Sequence, residues 1–263
     1  MVMATMCGEN GLAKDWCFQF LLVVLLSVGM LPARAVAADE LTMVCPYDGV
    51  KFTFAAQMSG MLYDSTLDLM PVRDVESPPP LAVCPSNGFV FAKEKYSEAE
   101  LEHLRPLILS PEYQALKEET PYYRAAWIAR RSGAARVEVF ALLLAASWEA
   151  EEWKGPGKRG GVLTQPPQSE ANERYRRYAG EFLEHLKTGI FDDKEEANPN
   201  RFHRLLKGET LRRLSRFQDA DNEFVALAAE RDVDPGLRAA VAFERKLIAQ
   251  RDSRIHLASE IDY

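Results

Sequence analysis

The chain has 263 residues, of which 47% are hydrophobic, and a formal net charge of −7. That much apolar material excludes global disorder, and an acidic balance disfavours nucleic acid or an anionic membrane surface as partner unless a local basic patch exists. The length suits one elongated domain or two compact ones.

From Phe18 to Leu31 the chain reads FQFLLVVLLSVGML without a charge, followed by Pro32 and then Ala35-Val36-Ala37. An apolar core of this length ahead of an A-x-A site reads as a signal peptide over residues 1–37, cleaved after Ala37. A spanning helix needs about 20 apolar residues, so a membrane anchor fits less well. Membrane association is expected only through this segment, and only where cleavage fails. The protein is expected to be exported.

The next stretch carries one pattern twice. Cys45-Pro46-Tyr47-Asp48-Gly49-Val50-Lys51-Phe52 returns as Cys84-Pro85-Ser86-Asn87-Gly88-Phe89-Val90-Phe91. Asp-Gly and Asn-Gly favour tight turns because both residues tolerate positive φ, so each copy predicts a turn feeding a short strand. The outline is that of a zinc knuckle whose second thiolate is replaced by Asp48 in one copy and Asn87 in the other. Export would remove Cys7 and Cys17 with the signal peptide and place Cys45 and Cys84 in an oxidising compartment. The expectation is a Cys45–Cys84 disulfide, closing a loop of about 40 residues and contributing at most roughly 4 kcal/mol. A metal held by Cys45, Asp48, Cys84 and Asn87, or two free thiols, are the alternatives. Lys51-Phe52-Thr53-Phe54 alternates as a half-buried strand does. Leu67-Asp68-Leu69-Met70 continues the strand-and-turn texture, and Ser77-Pro78-Pro79-Pro80 reads as a stiff extended connector.

After Lys95 the texture becomes helical. Ser97-Glu98-Ala99-Glu100 is a capping box, and its helix stops near Leu109 because Ser110-Pro111 cannot continue it. Thr120-Pro121 opens a second helix that runs to Ser132-Gly133. A third, from about Ala134 to Glu152, contains the uncharged run Val139 to Trp148 and predicts a central, buried helix. Gly155 to Gly161 lies in a flexible loop at 154–168; it lacks the Lys-Ser/Thr ending and the preceding strand of a P-loop. Beyond it, Tyr175, Tyr178, Ala179, Phe182, Leu183 and Leu186 form one helical face. Phe202, Leu205, Leu206, Leu211 and Leu214 form another, and Phe217, Ala220, Phe224 and Leu227 a third. Asp234-Pro235-Gly236 opens the last helix. Helix after helix with short turns suggests stacked antiparallel pairs.

Gly208, Ala220 and Phe224 stand at the spacing of the small and aromatic positions of a tetratricopeptide repeat, where a small residue lets paired helices approach and the aromatic fills the gap. With the paired Cys-Pro-x-x-Gly knuckles, Thr120-Pro121-Tyr122-Tyr123, Ala126-Trp127-Ile128-Ala129-Arg130 and Gly208-Glu209-Thr210-Leu211-Arg212-Arg213-Leu214, the chain after residue 37 resembles the bacterial family catalogued as domain of unknown function 2225. The resemblance implies a zinc-ribbon-like head ahead of tetratricopeptide-like helices, and no established activity. Complete knuckles in that family read Cys-Pro-x-Cys-Gly, so Asp48 and Asn87 mark this head as a degenerate ribbon. The expected fold is mainly α: a β- and turn-rich Cys-knuckle head over residues 38–95, then tetratricopeptide-like antiparallel helix pairs over residues 96–263. The bacterial resemblance makes the periplasm the expected compartment.

No catalytic signature stands out in the chain. Gly-x-Ser-x-Gly and His-x-x-x-His do not occur, and Glu100-Leu101-Glu102-His103 is a single Glu-x-x-His where a di-iron bundle needs two. No cofactor is expected. The arginines Arg130, Arg131, Arg212 and Arg213 are candidates for a basic groove that takes an acidic peptide, although a solvated helix face explains such clusters too. The leading expectation is a non-catalytic interaction module that binds a protein or peptide partner on its helical surface. A metal- or redox-responsive protein centred on Cys45 and Cys84 is the alternative.

Overall fold

The computed structural model describes residues 39–56, 60–151, 171–187, 199–231 and 233–262. The expected signal peptide and the expected loop at 154–168 lie outside the described residues. The architecture is mainly α, with eight helices and two small antiparallel sheets among the described residues.

Strands β1 (Asp39–Val44) and β2 (Lys51–Ala56) form an antiparallel ribbon in which Leu41 faces Phe54 and Met43 faces Phe52. The first knuckle is its turn. Cys45 N–H donates to the Val50 carbonyl at 2.8 Å, Gly49 N–H donates to the Cys45 carbonyl at 3.1 Å, and Gly49 takes φ 73°. The second knuckle repeats this frame with Cys84 to Phe89 at 2.8 Å, Gly88 to Cys84 at 2.9 Å and Gly88 at φ 73°. Strands β3 (Leu62–Ser65) and β4 (Pro71–Arg73) make a second hairpin. Here the structure corrects the strand-like reading of Leu67 to Met70: these residues are the turn, and the strands flank it. The Thr66 hydroxyl accepts the Met70 N–H at 2.9 Å, Thr66 N–H donates to the Met70 carbonyl at 3.0 Å, and Leu69 adopts φ 69°.

Several helix ends fall at capping residues. Helix α1 (Glu98–Ile108) carries the full capping box, with Ser97 N–H donating to Glu100 at 2.8 Å and Glu100 N–H donating to the Ser97 hydroxyl at 3.3 Å. A single turn, α2 (Pro111–Gln114), follows. Helix α3 (Pro121–Ser132) ends on Gly133, which is left-handed at φ 74°. Helix α4 (Arg136–Ala150) buries Val139, Phe140, Leu143, Leu144, Ala145, Ala146, Ser147 and Ala150, as its apolar run predicts. Helices α5 (Glu173–Lys187), α6 (Pro199–Arg213), α7 (Phe217–Ala228) and α8 (Pro235–Ala249) follow. The predicted face of α5 is buried up to Leu183, with Leu186 half-buried, whereas Phe202 on α6 is 43% exposed. The long helices pack chiefly on sequence neighbours: α3 on α4, α4 on α5, α6 on α7, and α7 on α8. A core of Ala126, Ala129, Val139, Phe140, Leu143, Leu144, Phe182 and Leu206 joins α3 through α6.

Helices α6 and α7 meet through Gly208. A β-carbon there would stand 2.5 Å from Cζ of Phe224, whose ring is fully buried beside Ala220. Gly208→Ala is therefore expected to lower stability by up to about 2 kcal/mol, since overpacking costs about 1–3 kcal/mol and better helix propensity returns about 1. Gly180 sits inside α5, and a β-carbon added there would meet nothing within 4 Å, so Gly180→Ala is expected to raise stability by roughly 0.5–1 kcal/mol. Urea titration of the two variants reads the opposite signs side by side.

The head does not fold around a core of its own. Cys45, Cys84 and Phe89 pack with Leu104, Ile108, Tyr113 and Ile128 from α1 to α3. The second hairpin packs against the C-terminal end of the chain, with Met70 and Val72 on Ile255, and Leu67 on Leu247 and Ile261. A segment this short buries too little apolar surface alone, so it shares the cores of the helices.

Candidate functional site

The two knuckles are joined by the Cys45–Cys84 disulfide, with Cα atoms 5.4 Å apart and both cysteines essentially inaccessible. Asp48 and Asn87, which stand where a ribbon would place its second thiolates, each cap their own turn. The Asp48 carboxylate accepts the Val50 N–H at 3.2 Å, and the Asn87 side-chain oxygen accepts the Phe89 N–H at 2.9 Å. The Asn87 amide then crosses to the other knuckle, donating to the Pro46 carbonyl at 2.6 Å and to Asp48 at 3.3 Å. A hydrogen bond from Ser86 first, and the Val50 N–H second, hold the exposed Asp48 carboxyl below the usual carboxylate range. Ligand atoms of Cys45, Asp48 and Cys84 lie within 4.8 Å of one another, so of the expected metal set three come together, while Asn87 is spent on hydrogen bonds. With the sulfurs bonded to each other neither is a thiolate, and the group has no soft anionic donor in this state.

The second knuckle is fastened to the helices from three sides. Tyr113 O–H donates to the Gly88 carbonyl at 2.8 Å, Arg124 donates to the same carbonyl at 2.6 Å, and Gln114 donates to the Asn87 carbonyl at 2.8 Å. Arg124 also lies over the Tyr113 ring at 5.0 Å. No spacing in the sequence marks Gln114 or Arg124; only the packing of α2 and α3 under the knuckle brings them there.

Beside this knuckle, α1, α3 and the start of α4 enclose a cleft of about 230 Å³. Its apolar wall is Phe89, Leu104, Ile128 and Leu142, and its polar rim is Lys93, Tyr96, Glu100, His103 and Glu138. Lys93 is ion-paired with Glu100 and holds that carboxyl down to about 2. His103 Nε2 lies 3.2 Å from the Ser132 carbonyl at the C-terminal end of α3. Burial pushes the Tyr96 hydroxyl above its ordinary pKa, and its oxygen accepts the Ala92 N–H at 3.1 Å. Glu100 and His103, the Glu-x-x-His pair, thus share one rim. Among the described residues, Cys45, Asp48 and Cys84 are the one set of three potential ligands close enough to hold a metal, and this pair is outside it.

The four candidate arginines do not form a groove. Arg212 and Arg213 are 0% and 2% exposed, which corrects their reading as peptide-binding residues. Arg212 donates to both oxygens of Glu209 at 2.7 Å, to Glu244 at 3.0 Å, and to the carbonyls of Asp252 and Arg254 at 2.6 and 3.1 Å. Arg213 donates to the Ser253 carbonyl at 3.0 Å and to Glu151, with its guanidinium over Tyr175. Guanidinium donors in this number bind the last turn of α6 to the segment after α8, so they are spent inside the protein. Burial alone would lower the Arg212 pKa, but Glu209 and Glu244 outweigh it and raise it. Burial, then Glu209, push the Glu244 carboxyl well above the usual range, and burial also raises Asp68 and Glu151 nearby. On the surface, Arg130 is paired with Glu181 at 2.7 Å, while Arg131 lies 3.7 Å over the Trp127 ring.

Comparison with known protein families, with curated proteins and with solved structures finds no match. Among the described residues no helix is long and apolar enough to cross a membrane.

Proposed function

We propose that this is an exported, periplasmic interaction module without catalysis, in which a disulfide-closed head and a stack of helices form one rigid cleft for a short peptide segment of a partner protein. The cleft beside the second knuckle carries this reading: an apolar wall backed by the disulfide core, under a rim of both charges. Such a site suits a peptide with one apolar anchor flanked by polar residues. The Gly208–Phe224 contact supports treating α6 and α7 as a tetratricopeptide-like pair, and the twin turn frames support kinship with the degenerate-ribbon family of unknown function 2225. Of the arginines, Arg131 at the exposed end of α3 is the one left to contribute beside the cleft, with Arg130 already held by Glu181.

The reading is tested by panning a displayed random-peptide library on the non-reduced protein. Peptides sharing an apolar anchor are expected, with binding lost in Ala92→Trp, which fills the cleft from an exposed position. Enriched peptides that bind Ala92→Trp as well as they bind the parent would overturn it.

A second reading rests on Asp48 beside the two sulfurs: reduction would leave two thiols next to a carboxylate, a set that a metal would bind by displacing the thiol protons, the start of a metal- or redox-responsive centre. Intact mass, measured natively and after alkylation with and without reduction, separates the two. A chain starting at Ala38 with both thiols alkylated only after reduction supports the first reading. Thiols that alkylate without reduction, with metal retained in the native mass, support the second.

A further inference from the structure

The β1–β2 ribbon is unpaired along both outer edges among the described residues. Its pairing runs through six residues without a bulge, from Asp39 opposite Ala56 to Val44 opposite Lys51. Natural edge strands are normally blunted by proline, lysine, bulges or a covering element, because their free N–H and C=O groups template another strand. Strand β1 (DELTMV) contains no proline, lysine or bulge, and its two charged residues, Asp39 and Glu40, stand at its first two positions.

The direction of its free groups follows from the ladder. Cys45 N–H points to β2, where it donates to Val50, and in an antiparallel pair successive residues alternate. Leu41 and Met43 therefore bond inward to Phe54 and Phe52, and Glu40, Thr42 and Val44 turn their N–H and C=O groups to the outer edge. The side chains alternate too. Leu41, Met43, Phe52 and Phe54 share one face, and Glu40, Thr42 and Val44 lie on the other. Leu41 is 45% and Val44 52% exposed, and Val50 in the turn is exposed too.

We infer that the outer edge of β1 pairs antiparallel with β1 of a second copy of this chain, around a two-fold axis at Thr42. This register is the one in which all three outward residues are used: Thr42 opposes Thr42 and Glu40 opposes Val44 on either side, each pair exchanging two hydrogen bonds. Leu41 of each copy then lies opposite Met43 of the other, in the closer, non-bonded pairs, and the two apolar faces become one face of a four-stranded sheet. No like charges oppose each other, since Glu40 meets Val44. A register centred on Leu41 would leave Val44 unpaired and bond only two pairs. The outer edge of β2 carries Lys51, a residue that discourages such pairing. Two-fold pairing closes the assembly, so a dimer and not a fibre results. The inference stands independently of the peptide cleft.

Sedimentation velocity on the non-reduced protein recovered from its producing cells, over a wide concentration range, is expected to show a monomer–dimer equilibrium. Thr42→Pro removes an outward N–H while leaving the inward ladder to β2 intact, and should weaken the dimer by at least about tenfold. Thr53→Pro makes the same change on the far edge and should leave association unchanged. Thr42→Cys should form a covalent dimer on a non-reducing gel, because facing hydrogen-bonded residues lie about 5.5 Å apart between Cα atoms, within disulfide reach. Glu40→Cys, whose two copies lie several residues apart in this register, should not. A protein that stays monomeric throughout, or a dimer that responds to Thr53→Pro and not to Thr42→Pro, overturns the inference. So does a dimer that survives both proline variants.

Discussion

Replacing Arg212 by methionine is expected to cost about 3–5 kcal/mol at pH 8, the range for breaking a buried ion pair from one side. Methionine fills much of the space but leaves Glu209 and Glu244 without the Arg212 cation and takes its donors from the Asp252 and Arg254 carbonyls. The loss should depend on pH. The Glu244 carboxyl is already raised in the folded protein, so the folded state holds its proton more tightly than the unfolded chain, whose carboxyl has the ordinary value of 4.5. Its contribution to stability is full below that value and is lost as pH rises through the folded value. Without Arg212 that value rises further. Keeping one carboxyl protonated costs about 0.7 kcal/mol at pH 5 and roughly 4.8 at pH 8. Urea titration of Arg212→Met should therefore show a smaller deficit at pH 5 than at pH 8, and Glu244→Gln in the same chain should restore part of it. An equal deficit at both pH values would mean that the orphaned carboxylates find solvent and that the network is not closed.

Removing the disulfide with Cys45→Ala and Cys84→Ala together is expected to lower stability by about 4 kcal/mol, from the 39-residue separation and the chain-entropy relation. In a domain of this size that corresponds to a fall in Tm on the order of 10 °C. The damage should be uneven. The second knuckle keeps Tyr113, Arg124 and Gln114 on its carbonyls. The first is left with Tyr47 O–H on the Leu101 carbonyl at 2.9 Å and the Asn87 amide on Pro46. Hydrogen exchange should thus show residues 39–56 losing protection while 84–90 keep most of theirs. Equal loss in both would show that the disulfide, and not the helical fastening, holds the second knuckle.

What the chain announces locally, it builds. The Cys-Pro-x-Asx-Gly pattern became twin turn frames because Asx and Gly supply, within six residues, both the cap and the positive φ that the turn needs. Ser97 with Glu100 and Asp234 with Pro235 placed helix starts for the same reason, each signal lying beside its partner, and Gly133 ended α3 through its own positive φ. The uncharged run of α4 made that helix central, since no arrangement leaves so wide an apolar surface in water. The Cys45–Cys84 bond was the leading expectation from the repeat taken together with export, with metal or free thiols as the alternatives. Burial of charge was not. Arg212 and Arg213 look like surface residues in sequence, and the carboxylates beside them come from α6, α8 and the residue that follows α4, with carbonyls from residues 252–254. Local sequence carries no record of a segment that returns from forty residues away. The same holds for the cleft, whose walls are drawn from the second knuckle and three helices. Short-range hydrogen bonding and periodicity are properties of the chain alone; which polar groups lose their water is decided only when distant elements close over them.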